Sequence, residues 1–332
     1  MKDKIKVMVI DDSAVMRKYL TDELSRSSRI EVVGSAMDPY IAASKIMRLD
    51  PDVITLDIEM PRMDGLTFLS KLMMASPLPV IMVSTLTQKG ADVTIKALEL
   101  GAVDFMLKPH PDNENEKREF SRNLIEKVLV ASEVTVKQRP ASSSMKVEEK
   151  YTADVILAKR DPMKNRIRSE RVVAIGASTG GTEVIDEILE NLDETVPGIV
   201  ITQHMPEKFT EAFANRVNTR SSMLVKEAVN GDRLYKGIAL IAPGGRHMLL
   251  RGDSNGYYVE VNDGPPVNRH KPAVDVLFRS VSQVAGKSAV GIICTGMGND
   301  GAAGLLEMKQ AGARTIGQNE KSCIVYGMPR EA

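Results

Sequence analysis

Along the first third of the chain, short apolar runs rich in β-branched residues alternate with longer segments whose apolar positions recur at helical spacing. KVMVI (6–10), EVVGSA (31–36), DVITL (52–56), PVIMVS (79–84) and DFMLK (104–108) read as strands. Segments 14–26, 38–48, 65–74 and 89–99 read as helices, and a last amphipathic helix is expected over 115–131. Five strand–helix alternations predict an α/β fold with a parallel, doubly wound sheet, because right-handed crossovers place helices on both faces.

Across 133–170 the apolar period lapses. RPASSSM, VEEK and a basic stretch with Lys159, Arg160, Lys164, Arg166 and Arg168 read as a linker. From Arg171 the pattern restarts with RVVAIGAS, GIVITQHMP, MLVKEAV, GIALIAP, AVGIICTGM and ARTIGQ. HMLLRGDSNGYYVEV (247–261) holds two alternating runs around a turn-rich centre and predicts a hairpin. The expected organisation is a first domain over 1–132, a linker over 133–170 and a second domain over 171–332. The second is again α/β, mostly parallel with some antiparallel strands.

Composition narrows this picture. A chain of 332 residues suits two domains. Aromatics make up only 4% and Trp is absent, so the cores are expected to be aliphatic. Lys plus Arg balances Asp plus Glu, 44 against 44, so no net field draws the chain to nucleic acid or an anionic membrane. Cys294 and Cys323 make no disulfide framework and suggest a reducing compartment. The apolar run near the N-terminus is too short for a signal peptide, and no stretch approaches the roughly 20 apolar residues of a membrane span. A cytoplasmic protein without membrane insertion is expected.

Candidate chemistry gathers at strand ends. Asp11 and Asp12 follow the first strand and Asp57 ends the third. In the flavodoxin-like order 2-1-3-4-5 those strands are neighbours at the switch point, so three carboxylates share one crevice. Such a set repels itself unless a cation intervenes, and its oxygen ligands suit Mg²⁺. Ser84 and Lys108 end the fourth and fifth strands, where a hydroxyl and an ammonium can hold phosphoryl oxygens on Asp57. DDS (11–13), DIEMPRMDG (57–65), VST (83–85) and LKP (107–109) resemble the receiver domain of two-component response regulators. The resemblance implies phosphate transfer from a histidine kinase to Asp57, with Asp11 and Asp12 holding Mg²⁺. It implies phosphoryl contacts from Ser84 and Lys108, and it puts Phe105 at an aromatic switch position, where plain core packing is an equal reading.

In the second domain the first strand runs into Gly176-Ala-Ser178-Thr-Gly180-Gly181 and then a helical pattern. A G-x-S-x-G at a strand-to-helix turn exposes a serine hydroxyl, and the helix N-terminus offers N–H groups to an oxyanion. Glycine-rich turns of this kind also bind phosphate, so the motif alone leaves both readings open. His204 ends the next strand, and Asp300 lies in a glycine-rich turn after a later one. Ser178, His204 and Asp300 can meet above one edge of the sheet as nucleophile, base and orienting carboxylate. His247 and His270 are rival bases by chemistry alone, whereas His110 lies beside Lys108-Pro109 and is a poor one. Asp232, Asp263 and Asp275 read as surface or cap residues, and Cys294 reads as a packed core thiol.

IGASTGGTE (175–183), ITQHMP (201–206), IAPGGRHM (241–248) and TGMGNDGAAG (295–304) resemble the catalytic domain of the chemotaxis protein-glutamate methylesterase family. That resemblance implies Ser178, His204 and Asp300 as the triad, an oxyanion N–H from Met297, and a pocket shaped by Thr179, Gly180 and its neighbours. It implies no cofactor for the ester chemistry, methylated chemoreceptors as substrates, deamidation of receptor glutamines as a second reaction, and inhibition by the unphosphorylated receiver. It also implies a helix beginning at Glu331-Ala332 that the chain cuts short.

Overall fold

The computed structural model describes residues 4–85, 88–136 and 167–332. The chain divides into two compact units, Met1–Pro140 and Ala141–Ala332.

In the first unit β1 (Ile5–Ile10), β2 (Ile30–Ala36), β3 (Val53–Asp57), β4 (Val80–Ser84) and β5 (Asp104–Leu107) form one parallel sheet in the order β2-β1-β3-β4-β5. Helices α1 (Ala14–Leu24), α2 (Pro39–Leu49), α3 (Gly65–Ala75), α4 (Gln88–Glu99) and α5 (Glu114–Ala131) alternate with the strands. Local sequence starts these helices. Ser13, Asp38, Asp64 and Asn113 accept N–H bonds of the first turns of α1, α2, α3 and α5, and Pro39 follows one of them in the first turn of α2. Every residue of β3 and β4 is buried, which explains their unbroken apolar runs.

The second unit holds β6 (Val172–Ala177), β7 (Gly198–Gln203), β8 (Leu224–Glu227), β9 (Ile238–Ile241), β12 (Ala289–Ile293) and β13 (Arg314–Gly317) in one parallel sheet ordered β13-β12-β6-β7-β9-β8. The hairpin β10 (His247–Asp253) and β11 (Gly256–Asn262) is present but forms its own two-stranded antiparallel sheet. The main sheet is thus parallel throughout, and among the described residues the antiparallel strands predicted for the domain are those of this hairpin, apart from isolated antiparallel bridges. Helices α6 (Gly181–Glu190), α7 (Phe209–Asn218), α8 (Val274–Val284), α9 (Ala302–Gln310) and the short α10 (Met328–Glu331) complete the unit. The core is aliphatic along the strands, but its largest buried side chains are Phe209, Phe213 and Phe278 on the covering helices.

Most of the expected linker, 137–166, lies outside the described residues. Its last residues are held on the second unit. Arg168 bridges to Tyr235 and donates to the Ser254 carbonyl at 2.9 Å, and Lys236 N–H donates to the Ile167 carbonyl.

Candidate active site and receiver pocket

In the first unit the predicted acidic residues converge. Asp11, Asp12 and Asp57 offer oxygens that all lie within 4.8 Å of one another. Asp11 and Asp57 are buried and Asp12 is exposed. Lys108 Nζ sits 2.8 Å from both Asp57 Oδ2 and Asp11 Oδ2, yet the latter oxygen has no well-aligned donor. Burial pushes the Asp57 carboxyl up to about 6 against the pull of Lys108, and the Asp11 charge adds to the push. Burial alone would lower the Lys108 ammonium, but Asp11 and Asp57 together hold it above its ordinary value. An oxygen-only cluster with a carboxylate oxygen to spare fits a hard divalent cation. Ser84 is buried at the end of β4, and its carbonyl accepts the Lys108 N–H at 2.7 Å, which ties the ends of β4 and β5 together. Phe105 is buried on β5.

The second cluster also forms at the carboxyl ends of strands. Asp300 follows β12, Ser178 follows β6 and His204 follows β7, and these three strands are adjacent in the middle of the sheet. Residues 122 positions apart thereby meet without any local signal linking them. His204 Nε2 lies 2.8 Å from Asp300 Oδ2. With that nitrogen carrying the proton, Nδ1 is the free acceptor, and it is buried without a hydrogen-bond partner. No hydrogen bond joins Ser178 Oγ to it in this structure; such bonds are commonly long before substrate enters.

Asp300 is 1% exposed yet fully satisfied. Oδ2 also accepts the Val274 N–H at 2.6 Å, while Oδ1 accepts the Asn268 amide at 2.9 Å and the Asp275 N–H at 3.2 Å. Burial pushes this carboxyl up, but His204, Asn268 and the Val274 N–H outweigh it and hold the group below its usual range. Val274 and Asp275 open α8, whose own N-cap side chain makes no bond, so Asp300 caps that helix from a distant loop. Asp275 returns the favour by accepting the Gly304 N–H in the first turn of α9 at 2.6 Å.

The Ser178 backbone is held as firmly. Its N–H donates to the Thr295 carbonyl, and its carbonyl accepts from Gly181 N–H and from Gln203 Nε2 at 2.8 Å. Gly180 opens α6 at φ 77 with no side-chain cap, so the donors of that first turn are not spent on a capping oxygen. Gly296 is needed for another reason: a Cβ there would lie 2.7 Å from the Ser178 Cβ. Its carbonyl accepts from Gly327 and Met328 N–H, so the trans peptide turns the Met297 N–H the opposite way. That N–H donates to no group among the described residues. Thr179 is buried beside the turn, its carbonyl accepting the Thr295 hydroxyl at 3.0 Å.

Residues 173–332 match the CheB methylesterase family and residues 7–118 the response regulator receiver domain. A protein-glutamate methylesterase/protein-glutamine glutaminase 1 of Geobacter metallireducens is 53% identical over 330 residues, 99% of this chain and 90% of that protein. The chain belongs to that family. A relative of the same name from Xanthomonas oryzae pv. oryzae is also 53% identical, covering 98% of this chain and 93% of its own length. Among solved structures, the Thermotoga maritima CheB methylesterase catalytic domain is 34% identical, covers 48% of this chain and 86% of that one, and gives a TM-score of 0.48. The response regulator domain of Thermotoga maritima CheB is 45% identical, covers 40% and 98%, and gives a TM-score of 0.37.

Around the Ser178–His204–Asp300 cluster the rival bases part ways. His247 is buried with both nitrogens spent, one on the Pro265 carbonyl and one on the Ala273 N–H. His270 instead stacks flat on His204, with ring centroids 3.7 Å apart and planes 10° from parallel. Asp263 pairs with Lys271 and Asp232 with Lys226, so neither carboxylate serves a histidine. Cys294 is buried, and burial pushes its thiol up to about 12, so it supplies no thiolate. Sequence reasoning missed Asn268 and Gln203. Neither has a chemistry-bearing motif; only the position of Gln203 directly before His204 hinted at it.

Proposed function

We propose that this chain is a phosphorylation-controlled serine hydrolase that removes methyl groups from glutamate γ-esters of chemoreceptors and deamidates receptor glutamines. The observation that carries the reading is a buried, fully bonded Asp300 holding His204 by Nε2, with an unpartnered Nδ1 on the ring next to a rigid Ser178 turn.

Ser178 Oγ attacks the ester carbonyl and His204 Nδ1 takes its proton, while Asp300 stabilises the imidazolium without itself becoming protonated. Negative charge on the carbonyl oxygen is met by the Met297 N–H and by the Gly180 N–H just before α6. The protonated imidazole returns its proton to the leaving methoxide, giving methanol and an acyl-serine. Water, deprotonated by the same base, then releases the glutamate. A glutamine amide follows the same path with ammonia leaving. No step calls for a metal ion or an organic cofactor. Thr179 and Gly180 shape the turn around the attacking oxygen.

In the receiver, Asp57 accepts the phosphoryl group from a histidine kinase. Asp11, Asp12 and Asp57 would hold Mg²⁺, which supplies charge neutralisation for phosphoryl transfer. Ser84 and Lys108 receive the new phosphoryl oxygens. Without phosphate the receiver inhibits the esterase; phosphorylation shifts that equilibrium.

Methanol release from methylated receptor membranes, with and without a small phosphodonor and Mg²⁺, tests the reading. Release that rises with phosphodonor is expected, and no release under either condition from folded protein refutes it. Deleting residues 1–130 is expected to raise basal release; a deletion variant no faster than the intact chain removes the inhibitory role of the receiver.

A further inference from the structure

The segment between β11 and α8 crosses the histidine pair, and its geometry is unusually determined. Val267 and His270 exchange both backbone hydrogen bonds, at 3.0 and 2.8 Å. The two residues between them, Asn268 at φ 51 and Arg269 at φ 69, are both left-handed, the arrangement of a two-residue hairpin turn that glycine or asparagine usually occupies. An arginine tolerates that conformation at some cost, and such strain persists where surrounding contacts hold it. Here they do. Buried His247 fastens the segment at Pro265 and at Ala273, Gly245 N–H donates to the Lys271 carbonyl, and Lys271 pairs with Asp263 at 2.5 Å.

The turn delivers two side chains to two members of the proposed triad. Asn268 Nδ2 donates to Asp300 Oδ1 at 2.9 Å and to Asp275 Oδ2 at 2.7 Å. His270 covers a face of the His204 ring. The second contact answers a mechanical question. A ring anchored by Asp300 at Nε2 alone can still rock about its Cβ–Cγ bond, a torsion with a broad well. Rocking changes the direction in which Nδ1 points. A second flat ring at 3.7 Å, in van der Waals contact across the face, blocks that motion.

We infer that the Val267–His270 turn is a positioning clamp for the hydrolytic site, in which His270 fixes the plane of the His204 ring and Asn268 fixes the carboxylate that holds it. This rests on the triad reading above. His270 acts through its face, as a positioning residue, and not as a second base.

The test is steady-state methyl ester hydrolysis by the intact chain carrying single substitutions, together with the rate of Ser178 labelling by a fluorophosphonate. His270→Ala is expected to lower kcat by about 10–100-fold, the scale for misplacing a catalytic group by about 1 Å, with KM little changed. His270→Phe, which keeps a flat face and removes the nitrogens, is expected to return kcat to within about threefold of the parent. Asn268→Ala is expected to lower kcat and the labelling rate together by about tenfold. His270→Asn, polar but without a ring, supplies the same contrast as alanine if the alanine variant does not fold. The inference is overturned if His270→Ala and His270→Asn match the parent, if His270→Phe is as slow as they are, or if only KM moves. Those results differ from failure of the triad itself, which shows as a Ser178→Ala enzyme that still turns over.

Discussion

Both sites of this protein lie at the carboxyl ends of neighbouring parallel strands, and both are built around a buried aspartate, yet the two aspartates are treated in opposite ways. Asp57 has one ammonium and the Ile58 N–H against burial and a second carboxylate, and its pKa is pushed up to about 6. Asp300 has an imidazole, an amide and two helix-opening N–H groups, and its pKa is held down. The receiver pocket is thus left electrostatically unfinished, so that a cation or a phosphoryl group changes its energy substantially. The Asp300 carboxylate of the proposed hydrolytic site is already fully bonded, so that its donors need not reorganise during chemistry. On the proposed reading, a switch and a catalyst are made from the same strand-end position by giving the carboxylate too few donors in one case and enough in the other.

The sharpest way to break this comparison is to remove function from the completed site. Ser178→Ala is expected to cost about 10⁴–10⁶ in methanol-release turnover, and Asp300→Asn about 10⁴, because the imidazole then loses its orienting charge. An Asp300→Asn enzyme within about tenfold of the parent would mean that the carboxylate's donors serve folding and not catalysis.

Asp57→Asn asks the converse question. It is expected to abolish the response to phosphodonor while leaving basal hydrolysis in place. In Mg²⁺-free buffer near pH 7 it should also stabilise the first unit by about 1–3 kcal/mol, since it removes a charge that burial disfavours. Calorimetric transitions of the parent and variant would show this, and a destabilised variant would contradict the unfinished pocket.

The smallest effect is a difference in pH dependence between the two units. Asp57 binds its proton more tightly folded than unfolded, so its cost is absent below pH 3.8, grows between 3.8 and about 6, and is complete above. Asp300 binds its proton more weakly folded, so its stabilisation is complete above pH 3.8 and is lost as pH falls toward about 2. Lowering the pH from 7 to 5 should therefore raise the melting temperature of the first unit relative to its Asp57→Asn variant. The Asp300 contribution to the second unit should stay constant over the same range, as measured against Asp300→Asn. Equal responses of the two pairs would erase the contrast.

Much of this was legible in the order of residues. Strands 79–84 and 104–108 were readable because buried parallel strands carry short apolar runs, and observed β4 and β5 differ from them only at the ends. Ser13, Asp38 and Asp64 start α1, α2 and α3 through a capping oxygen that works within its own turn. Helices α6 and α9 carried no such signal, since each opens on a left-handed glycine, Gly180 or Gly301, instead of a capping side chain. The sheet of the second unit was less readable. A hairpin was evident from its turn, but nothing local said that it stands apart from the main sheet. The stack of His270 on His204 was also invisible, because 66 residues separate two rings whose contact depends on a left-handed turn that asparagine and arginine do not advertise.

Local patterning alone put the chemistry-bearing groups at strand ends: Asp11, Asp57, Ser84 and Lys108 in one unit, Ser178, His204 and Asp300 in the other. Alternation of apolar runs and turn residues is a short-range property, and it places a side chain at the end of its own strand regardless of what lies beside it. Which of the candidate histidines meets Asp300, which ring nitrogen it uses, and which aspartate is satisfied and which is not were settled by the folded arrangement. Those outcomes depend on strand order and on donors arriving from distant loops. The energy of a buried charge is set by the neighbours that folding brings to it.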